Sequence, residues 1–462
     1  MKDKELEIPK GNAFMHCRLN RKEQADTLTA IIDVYSNGFV LSVDGKWGTG
    51  KSTFMKMWKQ DLTDRGYKTI LFNAWENDFT SEPLTAIMGE IKETFFSDTE
   101  KVNSITNKLA SISKGLIPTL AKTAATLTGL GQIAEVVEKV SAAFAEEVES
   151  YATKKTTLLE LRSELSNFIK DKCQNKPLVF IVDELDRCRP DYAVEVLEKI
   201  KHLFAVDGII FVLSIDKQQL CQAIKGYYGS EGIDSPEYLR RFIDLEYTLP
   251  EPDYASYCNY AFEKYELSKF FHNETRLQHN FGDEVHWLIS NSSMISASLN
   301  LSLRQIDKLF AQTRIAIRLC PLNNFAHSEL IFILIYLKTF HLPLYQKIKK
   351  ENLSIQELVT ELEHIYKEAI KAESKERYSN GKLTFSLIQL IICYYKSTSY
   401  SHKISDLYFE QEGNKALGFN ITVFDLEEVF SAFGYFDRDF RMRNTAITHY
   451  TNKIDLLDSF QN

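Results

Sequence analysis

Glycine and proline are scarce in this sequence of 462 residues, which has 19 glycines and 10 prolines. Together these two residue types usually make up roughly 12% of a protein, about twice their share here. Folds assembled from many short strands need turn residues every few positions. The scarcity therefore disfavours coil-rich and all-β architectures.

Cysteine is present but follows no pattern. The seven cysteines are dispersed and none forms a CxxC pair, which excludes a disulfide framework and the usual zinc sites. The amino terminus, MKDKELEIPK, lacks the apolar core of a signal peptide. We therefore expect a cytoplasmic protein in a reducing environment.

Long apolar runs are missing too. The three best candidates are residues 123–134, 330–337 and 383–395, and each is shorter than the roughly 20 residues that a membrane-spanning helix needs. We expect no transmembrane helix, while a peripheral membrane contact is left open. The net charge is -8, so no global positive field attracts nucleic acid, although a local patch is not excluded.

The first half of the chain alternates short apolar runs with helical patterns. The runs are 38–44, 67–73, 177–182 and 208–214, and the helical stretches between them are 51–64, 82–95, 156–172 and 191–204. This alternation predicts an α/β fold with a three-layer parallel sheet. Residues 97–153 are predicted to form a mostly helical insertion, with one amphipathic helix around residues 133–144. We place a domain at residues 1–252 and a helical carboxy-terminal domain, including a helix over 302–319, at residues 253–462.

The strongest motif is Gly45–Ser52 (GKWGTGKS), a complete GxxxxGK[ST] pattern between a predicted strand and a predicted helix. Such glycines let backbone N–H groups surround phosphate oxygens, and the helix amino terminus adds partial positive charge. Lys51 is expected to reach the β- and γ-phosphates, and Ser52 to place its hydroxyl on Mg²⁺. The alternative is a glycine-rich turn that binds nothing. The predicted nucleotide-binding residues are Gly45, Trp47, Gly48, Thr49, Gly50, Lys51, Ser52 and Thr53.

The segment Pro177–Glu184 (PLVFIVDE) is an apolar run that ends in two carboxylates. Asp183 falls at the carboxyl end of a parallel strand, where open α/β sheets bind ligands, and is predicted to contact the metal. Glu184 is predicted to polarise the attacking water; the alternative is a solvated acidic turn. We interpret Asp186 and Arg187, which follow in the same turn, as a local salt bridge; the alternative is that Arg187 and Arg189 form a basic pair that stabilises transferring charge near a γ-phosphate.

Three further residues are weaker candidates. Ser214 ends a predicted strand, and in P-loop ATPases of the additional-strand type a polar residue at this place senses the γ-phosphate; the alternative is an ordinary strand-end serine. Arg240 or Arg241 is a candidate arginine finger, acting in the same chain or in a neighbouring one. The stretch SIDK from Ser214 does not match the Asn/Thr-Lys-x-Asp element of GTPases, which favours ATP.

These motifs, and the order in which they occur along the chain, resemble those of the KAP family of P-loop NTPases. The group is named partly for a bacterial phage-exclusion protein and also contains animal membrane scaffold proteins. The resemblance covers roughly the first half of the chain, with a further short match at Leu303–Ile306. The matching segments are GKWGTGKST (Gly45–Thr53), FNAW (Phe72–Trp75), VDELDRCRPDYAVEVLEKIKHLF (Val182–Phe204), FVLSID (Phe211–Asp216) and YLRRFIDLEYTLP (Tyr238–Pro250).

The resemblance implies that Gly45–Ser52 bind nucleotide, that Asp183 and Glu184 are the Walker B pair, and that Arg240 or Arg241 is the finger. The family usually has aspartate where Glu184 stands, and glutamate is equally able to polarise water. Many relatives carry two transmembrane helices between the two Walker motifs. Residues 97–153 are too poor in apolar runs for that, so this sequence resembles a soluble or peripheral member.

The leading hypothesis is an ATP-hydrolysing molecular switch that uses Mg²⁺. The motifs support ATP hydrolysis, and a role in bacterial antiphage defence is what the resemblance alone implies. Its expected partners are ATP and either further copies of itself, as a homo-oligomer, or an effector protein. The second hypothesis is a nucleotide-gated scaffold with negligible turnover. The third is a nucleic-acid-dependent ATPase, against which the net charge argues.

Overall fold

The computed structural model describes residues 7–35, 38–79, 82–95, 156–157, 159–203, 206–229, 232–279, 281, 283–373, 383–398, 401–411, 414–438 and 446–456. The predicted insertion at residues 97–153 lies outside the described residues. The chain divides into two compact units, Met1–Glu251 and Pro252–Asn462.

A parallel sheet forms the centre of the first unit, and this confirms the predicted α/β fold class. In the described residues it has five strands in the order β2-β3-β4-β1-β5, and neighbouring strands all run parallel. Strand β4 therefore separates β1 from β3. The strands are β1 (Phe39–Asp44), β2 (Lys68–Asn73), β3 (Leu178–Asp183), β4 (Ile209–Ile215) and β5 (Leu245–Thr248).

Helices cover both faces of this sheet. One face packs against α1 (Lys22–Val34) and α2 (Lys51–Asp64) through a core that includes Phe54 and Trp58. The other face packs against the remaining long helices of the unit through a core that includes Phe180 and Phe211. Those helices and two short ones are α3 (Ala74–Asn77), α4 (Pro83–Thr94), α5 (residues 159–172), α6 (Pro190–Leu203), α7 (Lys217–Tyr228) and α8 (Ser235–Arg240).

The second unit is mostly helical. Its most apolar helix, α14, is buried from Ser328 to Leu337, and the predicted helix over 302–319 is α13, which begins at a capping box formed by Ser302 and Gln305. The helices are α9 (Tyr254–Lys264), α10 (Ser268–Phe271), α11 (Glu274–Gln278), α12 (Asp283–Ser298), α13 (Leu303–Arg318), α14 (Ser328–Phe340), α15 (Leu342–Lys349), α16 (Ile355–Glu373), α17 (Leu383–Thr398), α18 (Leu426–Arg438) and α19 (Ile447–Asp455).

Two features were not predicted. The four-residue edge strand β5 has every other residue exposed, so it shows no apolar run. A hairpin of β6 (Tyr408–Gln411) and β7 (Asn414–Leu417) interrupts the helical unit, and its strands are too short and polar for their alternation to stand out. Among the described residues, no helix combines the length and apolar content needed to cross a bilayer.

Candidate functional site

The loop Gly45–Gly50 connects the carboxyl end of β1 to the first turn of α2. Gly48 and Gly50 have φ values of 77° and 84°, a left-handed conformation that side chains with a Cβ rarely adopt. The N–H of Trp47 donates to Asp216 Oδ2 over 3.2 Å, which joins the loop to the end of β4. Glycine is therefore required where the backbone turns, and Asp216 holds the loop in place.

Lys51, the first residue of α2, folds back over this loop. Its ammonium group donates to the carbonyl oxygens of Gly45 and Lys46, the latter over 3.3 Å. Burial lowers the pKa of Lys51, while nearby carboxylates act in the opposite sense; they belong to Asp186, Asp216, Asp183 and Asp44. The charge is thus held by loop carbonyls that a phosphate can replace as acceptors.

A row of polar residues crosses the carboxyl edge of the sheet. Asn73 on β2 is level with Asp183 on β3, and Asp183 is level with Ser214 on β4. Since side chains alternate along a strand and Val212 packs on the α2 face, Ser214 points to that same face. The Ser214 hydroxyl is buried and has no hydrogen-bond partner in the described part of the chain.

Glu184 connects the two predicted Walker motifs. Its Oε1 lies 3.5 Å from the hydroxyl oxygen of Ser52, and its Oε2 lies 3.4 Å from the amide nitrogen of Asn73. Arg187 Nη1 approaches Oε1 to 2.7 Å. Glu184 has a φ of 61°, which is uncommon for a residue with a side chain and is enriched at functional sites. This turn directs the carboxylate toward the phosphate loop.

The expected salt bridge between Asp186 and Arg187 is wrong. The carboxylate of Asp186 instead accepts a hydrogen bond from the indole N–H of Trp47, while Arg187 pairs with Glu184. Burial raises the pKa of Asp186, against the hydrogen bond from Trp47 and the charge of Lys51. A 3₁₀ turn over Leu185–Arg187 separates the two side chains. The adjacency of the two residues in the sequence does not predict this turn.

The remaining predicted binding residues take different positions. The Thr49 hydroxyl donates to the carbonyl of Lys46 over 2.8 Å and so braces the loop. Thr53 is exposed on the first turn of α2. Trp47 is 44% exposed, with its indole N–H committed to Asp186. All three lie in or beside the loop, although Thr53 is directed to solvent.

The two arginines lie elsewhere. Arg240 ends α8, Arg241 follows it, and the chain then enters the amino end of β5, where the N–H of Asp244 donates to the carbonyl of Val40 over 2.9 Å. Because β5 runs parallel to β1 and the phosphate loop follows the carboxyl end of β1, both arginines lie at the opposite edge of the sheet. The structure does not bring them to the loop of their own chain.

The residues present fit a magnesium ion. Ser52 supplies a hydroxyl oxygen, and Asp183 a largely buried carboxylate beside Glu184. Among the described residues, no group of three or more His, Cys, Asp or Glu forms a metal site on its own. Mg²⁺ suits such a sparse donor set, because it usually keeps several waters and binds one or two carboxylates together with phosphates.

Sequence reasoning missed Asn73. Its Oδ1 accepts from the N–H groups of Trp75 and Glu76 over 3.1 and 3.3 Å, so it caps α3, while its amide nitrogen faces Glu184. A polar residue at the end of a strand, inside the FNAW segment, was the available signal. Arg187 was noticed but given the wrong partner.

Comparison with known proteins identifies a family for this sequence. A family model described as the KAP family P-loop domain matches residues 21–320. The match continues past the division at Pro252 to Cys320 and so includes Leu303–Ile306, the short segment that resembles the family beyond the first half of the chain. A solved structure of the ORC2 protein from Aeropyrum pernix, in ADPNP and ADP complexes, is 12% identical, covering 99% of this chain and 98% of that chain with a TM-score of 0.31. No curated protein matches the sequence.

Proposed function

Because the chain belongs to the KAP family of P-loop NTPases, we propose that it binds ATP with Mg²⁺ and hydrolyses it as a molecular switch. The observation that supports hydrolysis most directly is the position of Glu184, 3.5 Å from the Ser52 hydroxyl. A carboxylate at this place can hold and polarise a water molecule in front of the terminal phosphate. Mere nucleotide binding does not need this group.

The loop residues would bind the phosphates. Backbone N–H groups of Gly48–Lys51 and the amino end of α2 attract phosphate oxygens, and Lys51 would exchange its loop carbonyls for the β- and γ-phosphates. Asp216 keeps the loop attached to β4 through the N–H of Trp47. These groups lie on the ends of buried strands, so little has to move before the phosphates bind.

Ser52 and Asp183 would hold the Mg²⁺. When bound, the ion bridges phosphate oxygens and neutralises charge that develops during transfer. Asn73 orients the Glu184 carboxylate through its amide nitrogen. Ser214 would sense the terminal phosphate, and its buried hydroxyl on the α2 face, which has no hydrogen-bond partner among the described residues, supports that role.

The antiphage role rests on family resemblance alone. Together with the switch output and assembly, it forms the outer part of the proposal. Nucleotide state would alter contacts with further copies of the chain or with an effector protein. A direct test is to express the chain and its Lys51→Ala variant in bacteria and compare phage plaque numbers. Equal plaque numbers for cells with the wild type, with the variant and with an empty vector would contradict a defence role. Such a result would leave the ATPase proposal unaffected.

Steady-state ATPase activity of the purified protein tests the central proposal. Light scattering after size exclusion, with and without ATP and Mg²⁺, follows assembly in parallel. We expect turnover that requires Mg²⁺, prefers ATP to GTP, and rises with assembly. Tight ATP binding with no turnover and no change in mass would contradict the switch and favour the scaffold.

A further inference from the structure

Arg187 is enclosed by residues of the candidate nucleotide site. Its Nη1 pairs with Glu184 Oε1 at 2.7 Å, and its guanidinium lies 6.0 Å from the Trp47 ring and 5.7 Å from the Trp75 ring. Only 20% of its side chain is exposed, and Trp47 belongs to the phosphate loop. The cation is therefore held between the loop, the Walker B glutamate and the FNAW segment.

The ion pair with Arg187 and the proposed activation of water both need the same oxygen of the Glu184 carboxylate. Glu184 Oε1 is approached both by Arg187 and by the Ser52 hydroxyl. A carboxylate oxygen has about two acceptor positions, and the approaches of Arg187 and Ser52 to Oε1 leave little access for a water molecule. Polarising water therefore requires Arg187 to leave Oε1 for another anion.

The terminal phosphate of a nucleotide bound at the loop would supply such an anion. Arg187 shares Glu184 Oε1 with Ser52, whose hydroxyl follows the phosphate-binding lysine in the chain. Arginine suits such an exchange, because its rigid set of donors matches phosphate as well as carboxylate. The two tryptophan rings favour a cation over their faces, so they can steady the guanidinium in both positions.

We propose that Arg187 is a catalytic residue of the same chain, which contacts the γ-phosphate of bound ATP and in doing so releases Glu184 to orient the attacking water. This rests on the proposed function, since it assumes that the loop binds a nucleoside triphosphate. Arg240 and Arg241 lie away from the phosphate loop of their own chain. Arg187 would therefore supply the arginine that contacts the γ-phosphate within one chain. Phosphate binding and water activation are then coupled through one side chain.

Relative affinity for ATP and ADP tests the proposal without relying on turnover. The parent protein is Glu184→Gln, which leaves ATP intact, and the variants in it are Arg187→Ala and Arg187→Lys. Arg189→Ala is the matched control, because Arg189 lies two residues away and donates to the carbonyl of Asp78 instead. Isothermal titration with ATP and with ADP, each with Mg²⁺, gives the affinities.

We expect Arg187→Ala to weaken ATP binding about 10- to 100-fold, the usual effect of losing a charge-assisted hydrogen bond. ADP affinity should stay within about 2-fold, because ADP has no γ-phosphate. Arg187→Lys should fall between, and Arg189→Ala should match the parent. Equal losses for ATP and ADP, or no loss for either, would overturn the proposal.

Two further outcomes separate this proposal from the proposed function. If the Glu184→Gln parent binds neither nucleotide, the proposed function fails and the role of Arg187 fails with it. If the parent binds both but Arg187→Ala leaves the preference for ATP unchanged, only the role of Arg187 fails. With Glu184 intact, Arg187→Ala should also lower kcat more than it raises KM, and unchanged or faster turnover would overturn the role.

Discussion

The hydroxyl oxygen of Ser52 lies 3.5 Å from Glu184 Oε1, although 132 positions separate the two residues in the chain. Neighbouring β1 and β4, and β4 and β3, are in parallel register, so the ends of β1 and β3 meet at one edge of the sheet. Asn73 closes the other side of the carboxylate at 3.4 Å. Strand order, together with the left-handed turn at Glu184, thus brings the candidate phosphate loop and the carboxylate proposed to polarise water to one place.

Replacing Lys51 should abolish ATP binding and leave the fold intact. Lys51→Ala removes the cation that the loop holds for phosphate, and charge-assisted bonds to phosphate are among the strongest. We expect ATP affinity to fall by about 100-fold or more, with unchanged circular dichroism. Lys56→Ala, an exposed position on the same helix, is the control. Normal affinity in Lys51→Ala would sink the phosphate-loop assignment.

Replacing Glu184 should separate binding from turnover. Glu184→Gln keeps the size and polarity of the side chain but cannot accept a proton from water, so kcat should fall by about 10²- to 10⁴-fold. ATP affinity should remain near that of the wild type. Release of inorganic phosphate measures the first effect and titration calorimetry the second. Glu76→Gln, exposed on α3, should behave as wild type; full activity in Glu184→Gln would contradict the assigned role.

Replacing Asn73 tests how the glutamate is oriented. Asn73→Asp keeps an oxygen that can cap α3 but exchanges the amide donor for a negative charge facing Glu184, which favours protonation of one of the two carboxyl groups. We expect turnover to fall about 10-fold or more, with little change in melting temperature. Glu76→Gln, exposed on the same short helix, is the control. A large loss of stability instead would show that Asn73 acts only as a cap.

The sequence alone was sufficient to locate four of the five described strands of the central sheet, β1 to β4, to within one or two residues. Strands such as Leu178–Asp183 are buried along their whole length, so they read as unbroken apolar runs. The Gly45–Ser52 loop was equally accessible, because its chemistry depends on residues adjacent in the chain. Strand β5 was missed, since it lies at the edge of the sheet with half of its residues exposed.

The partners of the site residues could not be predicted in the same way. Arg187 was assigned to its neighbour Asp186, whereas the left-handed turn at Glu184 brings it back to Glu184. Asn73 faces Glu184 only because β2 and β3 are in register at their carboxyl ends. Such contacts depend on backbone conformation and strand order, which residue types and spacing do not specify.

In the helical unit, Glu363 should make stability depend on pH. Its carboxylate accepts from the N–H groups of Thr422 (2.7 Å), Val423 (2.7 Å) and Phe424 (3.0 Å). Burial acts to raise the pKa of Glu363, but these hydrogen bonds outweigh it and the pKa lies below its ordinary value. A group with a lowered pKa stabilises the fold above its unfolded-state pKa, about 4.3 for glutamate, and loses this effect as the pH falls.

Glu363→Gln should therefore lower the free energy of unfolding by about 1–3 kcal/mol at neutral pH, since its amide cannot accept as many hydrogen bonds. The difference from wild type should shrink as the pH falls below about 4.3. Amide hydrogen exchange of residues 422–424 reports the local loss, and thermal unfolding the global one. Glu361→Gln, exposed on the same helix, should show neither effect. A difference that is constant across pH would contradict the role of the charge.

Because Arg240 and Arg241 lie at the sheet edge away from the phosphate loop, any role they have in hydrolysis must be exerted on a neighbouring chain. The Arg240 side chain is 64% exposed, and its Nη1 forms an ion pair with Glu237 Oε2 on the same helix at 2.8 Å. It is therefore accessible to a neighbouring chain. Arg240→Ala and Arg241→Ala should lower kcat while leaving ATP affinity near that of the wild type, because binding uses groups of one chain.

Mixing two variants tests whether Arg240 acts on the site of a neighbouring chain. Arg240→Ala has an intact Glu184, and Glu184→Gln has an intact Arg240, so a mixed assembly contains some complete sites. With random head-to-tail mixing about a quarter of the interfaces would be complete, and activity should recover to about that fraction of wild type. A mixture of Glu184→Gln with Lys51→Ala is the control, because no mixed interface repairs a site that lacks a residue of its own chain. A complete site forms only where a chain with an intact Glu184 receives Arg240 from its neighbour, so an absence of recovery in assemblies shown by light scattering to be mixed would exclude Arg240 as a finger in trans.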